Sequence, residues 1–132
     1  MKPKVLLIDD NSIVNFISRQ TIEDFDFASK ITEFTSGKKA LKHLEENAKT
    51  PMELPDLIFL DIKMQFMSGF EFLDNFILLP ESVRKKTRIV MLTSSLIDMD
   101  RERALRYENV IEFLNKPITR EKLNALKNKF IN

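Results

Sequence analysis

Four short apolar runs divide this chain: "VLLI" at 5–8, "LIFL" at 57–60, "IVML" at 89–92 and "VIEFL" at 110–114. Each is too short for a buried helix and too continuously apolar for a strand with one face in water, so each is expected to be a strand buried on both faces or nearly so. A weaker candidate, "KITEFT" at 30–35, alternates apolar and polar residues and is expected near a sheet edge.

The intervening segments carry helical spacing. Ile13, Phe16, Ile17 and Ile22 are expected to face inward from a first helix, and Ala40, Leu41, Leu44 and Ala48 from a second. Phe70, Leu73, Phe76 and Ile77 mark a third, Ala104 and Leu105 a fourth over about 97–107, and Leu123, Leu126 and Phe130 a fifth that starts at Thr119. Asn11 with Ser12, Ser36 with Gly37, and Thr119 supply N-caps, while Pro51, Pro55 and Pro80 fall in the gaps. Strict alternation of buried strands and helices predicts a doubly wound α/β fold: a five-stranded parallel sheet with five helices on its two faces.

Length and composition narrow the function. The 132 residues are expected to form a single domain over 1–132, with no room for a separate output module. With 21 basic and 20 acidic residues, the formal net charge of +1 points to neither nucleic acid nor membrane. Cysteine is absent, which excludes disulfides and thiolate metal sites. The apolar run at the N-terminus is too short for a signal peptide or a membrane span, so a cytoplasmic protein is expected.

In an open parallel sheet the ligand site lies at the carboxyl edge, so the residue after each strand matters most. Those positions hold Asp9 and Asp10, Asp61, Thr93 and Ser94, and Lys116 followed by Pro117. Any one of the Asp, Ser or Thr residues is an ordinary helix cap. Three carboxylates meeting at one edge, however, repel each other and need a cation to stay ionised together. Hard oxygen ligands at a shallow edge suit Mg²⁺, and a lysine and a hydroxyl opposite such an ion suit phosphoryl transfer.

With these residues in place the chain resembles, from end to end, the receiver domains of two-component response regulators, and among them the stand-alone chemotaxis-type regulators. The matching stretches are "LLIDDN", "LDIKMQFMSG", "MLTSS" and "NKP", in order and each at the correct strand end. The resemblance implies a flavodoxin-like sheet of strand order 2-1-3-4-5 and a phosphoacceptor signalling protein rather than a turnover enzyme. It implies that Asp61 is the phosphoacceptor, that Asp10 binds Mg²⁺ directly and Asp9 largely through water, and that the backbone carbonyl of Lys63 completes the ligands. Thr93 and Lys116 would contact the phosphoryl group. Phe113 would be the aromatic switch, turning from exposed to buried as the Thr93 loop moves inward. The Lys116–Pro117 bond would be cis. The implied partners are a sensor histidine kinase or histidine phosphotransfer protein as donor, and a downstream protein bound by the face of the fourth helix, fifth strand and fifth helix.

Four places lie outside that pattern or beside it. Receivers usually carry proline where this chain has Gln65, and alanine where it has Ser94. Lys63 and Ser95 occupy positions that tune phosphoryl lifetime, and the Lys63 ammonium is a candidate for guarding the site against water. His43, off the apolar stripe of its helix, is expected to be solvated, and "RERALRY" to be a solvated helix face that helps form the target surface. Met64 and Met67 are expected to pack inward or to present apolar surface near the site, and the eleven phenylalanines to be core with Phe113 the exception.

Two other functions use similar parts. An aspartate-nucleophile phosphatase of the haloacid dehalogenase type needs a second Asp two residues after its nucleophile, but Asn11 and Lys63 stand there. A receiver-like binding module that has lost phosphorylation would have no need of Asp9, Asp10, Asp61, Thr93 and Lys116. A flavin carrier would need a Ser/Thr-rich phosphate loop where this chain has "DDNS".

Overall fold

The computed structural model describes residues 2–94 and 98–131. Five strands, β1 (Lys4–Ile8), β2 (Lys30–Phe34), β3 (Leu57–Asp61), β4 (Arg88–Thr93) and β5 (Val110–Asn115), form one parallel sheet in the order β2-β1-β3-β4-β5. Among the described residues six α-helices connect or follow them: α1 (Ser12–Asp24), α2 (Gly37–Glu46), α3 (Gly69–Phe76), α4 (Glu81–Lys86), α5 (Asp98–Leu105) and α6 (Arg120–Leu126). Among the described residues no helix is long and apolar enough to cross a membrane.

The alternation of side chains along each strand divides the core in two. Leu6, Ile8, Ile58, Leu60, Ile89, Met91 and Phe113 point to the face covered by Leu44 of α2, Phe72 and Phe76 of α3, and Ala104 of α5. Val5, Leu7, Leu57, Phe59, Val90 and Leu92 point to the other, against Ile22 of α1 and Leu123 and Leu126 of α6. β3 is the middle strand and is buried along its whole length, which is why it reads as an unbroken apolar run. β5 is an edge strand and only half-buried, so "VIEFL" is less enclosed than expected.

The caps fall as the sequence implies. The Asn11 side chain accepts from the Ile13 and Val14 amides, Ser36 from Lys39, and Thr119 from Lys122. α3 adds a capping box in which Ser68 and Glu71 bond each other's backbone amides. α4 is the helix that sequence periodicity does not show. It has one buried residue, Val83, and six residues are too few to establish a repeat. α5 is described from Asp98, so the expected start near Ile97 lies outside the described residues.

The inward face of α1 departs from expectation. Ile22 is buried, but Ile13, Phe16 and Ile17 are 67%, 61% and 52% exposed, and Asn15 and Ser18 take the inner positions. Asn15 lies inward because its amide donates to the carbonyls of Asp9 (3.1 Å) and Phe34 (3.2 Å), satisfying two backbone acceptors at the ends of β1 and β2. Ile77, Leu105 and Phe130 are likewise partly exposed rather than core, each lying at or beyond the last turn of its helix.

Glycine is required where α3 begins. A Cβ on Gly69 would stand 2.7 Å from the Asp61 carbonyl oxygen and 2.9 Å from the Ile62 Cα, backbone atoms that cannot yield. The close approach lets the Gly69 amide donate to the Ile62 carbonyl at 2.7 Å, which anchors α3 under the end of β3. Gly69→Ala is expected to lower stability by about 1–3 kcal/mol. Gly37→Ala, whose nearest neighbour is the flexible Met67 side chain at 3.0 Å, should cost less. Urea midpoints of the two variants check the ordering.

Candidate functional site

The right-handed crossovers of a parallel sheet bring every strand's carboxyl end to one edge. β1 ends in Asp9 and Asp10, β3 in Asp61, β4 in Thr93, and β5 leads to Lys116. Carboxylate oxygens of Asp9, Asp10 and Asp61 all lie within 4.8 Å of one another. Asp9 and Asp61 are buried and Asp10 is exposed. The Lys116 ammonium lies between the two buried carboxylates, 2.7 Å from Asp9 Oδ2 and 3.0 Å from Asp61 Oδ1. Its backbone N–H donates to the Thr93 carbonyl at 2.7 Å, and the Lys116–Pro117 bond is cis.

Two of the carboxylates also accept from backbone donors. The Asn11 amide bonds Asp9 Oδ1 at 2.9 Å, and the Gln65 amide bonds Asp10 Oδ2 at 2.8 Å. Burial raises the pKa of Asp61 above the ordinary 3.8, and the Asp9 charge adds to this, while the Lys116 hydrogen bond holds it down in part. For Lys116 burial works against the charge. Hydrogen bonds to Asp9 and Asp61 more than offset it, so the ammonium stays protonated above its usual range.

Three carboxylates share one ammonium here, an uncompensated negative site built of oxygen donors. That donor set fits a small hard divalent ion such as Mg²⁺. Lys63 is exposed, and Ser94 is exposed beside the buried Thr93. Ser95 lies outside the described residues.

The aromatic residues differ from expectation in their exposure. Phe113 is 1% exposed and belongs to the core, in register with Met91 of β4, so the inward position that the switch reading assigns to the phosphorylated form is already occupied. Phe16, Phe66 and, less fully, Phe130 are exposed. Met64 and Met67 pack against the core near Gly37, while Phe66 between them is fully solvated with φ of +67°. His43 is half-buried rather than solvated: its ring lies 5.1 Å from that of Phe34, on the partly wet side of β2.

α5 buries little, and polar ties hold it. Arg101 donates to the Phe113 carbonyl at 3.2 Å and pairs with Glu112 at 3.5 Å. Arg103 stacks over Phe70 at 4.0 Å, and the Tyr107 hydroxyl just beyond the helix donates to Asp74 of α3 at 2.6 Å. The stretch "RERALRY" is thus less free than a solvated face.

Comparison with known proteins agrees with this geometry. The family model of the response regulator receiver domain matches residues 5–127. A two-component response regulator from Cytophaga hutchinsonii superposes with a TM-score of 0.89 at 34% identity, covering 98% of this chain and 97% of that one. A response regulator receiver protein from Dyadobacter fermentans gives 0.82 at 28% identity over 98% of both chains. A probable methanogenesis regulatory protein from Methanothrix harundinacea is 32% identical over 90% of this chain and 75% of its own length.

The raised Asp61 pKa has a consequence for stability. A carboxyl group whose pKa is higher in the fold than in the unfolded chain contributes stability below about 3.8, the unfolded value, and loses it as pH rises through the folded value. At neutral pH the ionised Asp61 is therefore a net cost. Asp61→Asn is expected to melt above the wild type at pH 7 without divalent ions, the gap narrowing as pH falls toward 4, which thermal melts across pH will show.

Proposed function

The chain belongs to the response regulator receiver domain family, and from that premise we propose that Asp61 accepts a phosphoryl group from a partner's histidine in a Mg²⁺-supported transfer that resets a protein-binding surface. The observation that carries the reading is the Lys116 ammonium seated between Asp9 and Asp61, with Asp10 exposed beside them. Receivers of this family are phosphorylated by histidine kinases or histidine phosphotransfer proteins and bind Mg²⁺ at such an acidic cluster.

Asp10 would hold the ion directly and Asp9 largely through water, with Asp61 and the Lys63 carbonyl completing the set. Bound there, Mg²⁺ supplies positive charge that offsets repulsion between the carboxylates and the phosphoryl oxygens. A carboxylate oxygen of Asp61 forms the new P–O bond as the P–N bond to the donor imidazole breaks. Burial leaves the Asp61 anion poorly solvated, which favours attack. Lys116, protonated at any physiological pH, pairs with a phosphoryl oxygen, and the Thr93 hydroxyl approaches another. Water later attacks phosphorus, the P–O bond to Asp61 breaks, and inorganic phosphate leaves. The chain assists both steps upon itself and acts as a phosphoacceptor rather than a turnover enzyme.

Two surfaces fit the two partners. The exposed Ile13, Phe16 and Ile17 line α1, which starts two residues after Asp10, and so offer an apolar footing for the donor protein beside the acceptor. The face of α5, β5 and α6 suits the downstream target. α5 is tied to β5 through Arg101 and to Phe70 of α3 through Arg103 rather than by deep burial, and an element held this way changes position at small cost. Phosphorylation, drawing on Thr93, would bias Phe113 and α5 toward one of their arrangements.

The test is incubation with Mg²⁺ and acetyl phosphate followed by intact mass measurement. Wild type should gain one phosphoryl group, and Asp61→Asn none. No adduct on the wild type, or one that persists in Asp61→Asn, overturns the reading. Phe16→Asp should be labelled by acetyl phosphate as the wild type is. Its transfer from a phosphorylated histidine phosphotransfer domain should slow by about tenfold, the effect of losing an apolar anchor at an interface.

A further inference from the structure

Among the described residues two backbone amides bond the acidic cluster, and one is local: Asn11 to Asp9, across two residues. The other, from Gln65 to Asp10 Oδ2 at 2.8 Å, spans 55 positions and ties the loop after β3 to the end of β1. The loop is shaped around it. The Gln65 carbonyl accepts from the Met67 amide at 2.7 Å, closing a three-residue turn with Phe66 at its apex. Phe66 has φ of +67°, a left-handed conformation that costs a residue with a side chain, and it is solvated, so no packing of its ring holds it there. What holds the turn is its backbone bonds and the seating of Met64 and Met67 on either side.

We propose that the Gln65 peptide N–H is a positioning donor that orients the Asp10 carboxylate for a divalent cation, an assignment that rests on the function proposed above. Asp10 is the exposed member of the cluster and, among the described residues, has no ammonium to fix it, unlike Asp9 and Asp61. A free surface carboxylate must lose rotamer freedom when it binds an ion. The Gln65 bond imposes that order beforehand and engages Oδ2, leaving Oδ1 for the ion. The strain at Phe66 is what the loop bears to aim the N–H at Asp10. The proline usual at this position in receivers has no N–H to offer, so the bond belongs to the sequence of this chain.

Titration calorimetry with Mg²⁺ alone on wild type, Gln65→Ala and Gln65→Pro tests the assignment. Gln65→Ala keeps the N–H and should bind within about twofold of wild type, whereas Gln65→Pro should bind about tenfold more weakly. Equal affinity in all three, or an equal loss in both variants, overturns the role of the N–H. Should Gln65→Pro fail to fold by circular dichroism, the amide proton resonance of residue 65 decides: it should lie downfield in wild type and move upfield in Asp10→Ala, and an unmoved resonance overturns the proposal. The acetyl phosphate adduct is measured alongside. A wild type that forms the adduct while Gln65→Pro keeps full Mg²⁺ affinity loses only this inference, whereas a wild type with neither adduct nor Mg²⁺ binding loses the underlying reading as well.

Discussion

The Lys116 ammonium between Asp9 and Asp61 is the interaction on which the rest of the site depends. Two carboxylates buried at the edge of a sheet would neutralise by taking up protons unless a cation met them. Lys116 meets both, at 2.7 and 3.0 Å, from the far end of the sheet. It reaches them because β5 follows β4 in the order, its edge placement leaves the chain after it free to turn, and its amide is fixed to the Thr93 carbonyl. One ammonium offsets one of the three carboxylate charges, and the negative surplus beside the exposed Asp10 is what the proposed cation would meet.

The middle strand supplies the rigidity this arrangement needs. β3 is buried on both faces, so Asp61 is held by the core behind it, and α3 is drawn tightly beneath its end at Gly69. By contrast, the helices proposed to face partners carry fewer buried apolar residues toward the sheet. α1 turns Ile13, Phe16 and Ile17 outward because backbone carbonyls at the ends of β1 and β2 claim Asn15. α5 leans on Arg101, Arg103 and Tyr107 instead of an apolar stripe. A firm centre with less deeply packed flanks suits the proposed function, in which Asp61 is held still while a surface moves.

The strands, their parallel arrangement and the residues at their ends were legible in the sequence, because burial on both faces leaves an unbroken apolar run and the fold collects strand ends on one edge. The helix caps were legible for a similar reason, each depending on one side chain and its immediate neighbours. α4 was not, with only Val83 to bury. Nor was the exposure of the phenylalanines. Phe113, expected as the exception to a phenylalanine core, is buried, while Phe66, in a segment that reads as packing, stands in solvent at the apex of a strained turn.

By itself, then, the sequence determined the architecture and the chemical inventory of the site: five strands, a carboxylate set of Asp9, Asp10 and Asp61, a hydroxyl and a lysine, since these follow from local pattern and from where a parallel sheet places its strand ends. Only the tertiary structure decided which way α1 faces, where Phe113 rests, and that the Gln65 amide bonds Asp10 across 55 positions. Each of these depends on groups distant in sequence competing for one place: a backbone carbonyl for an amide, a core cavity for a ring, a carboxylate for a donor. Periodicity along a chain cannot register a competition that exists only after the chain has closed on itself.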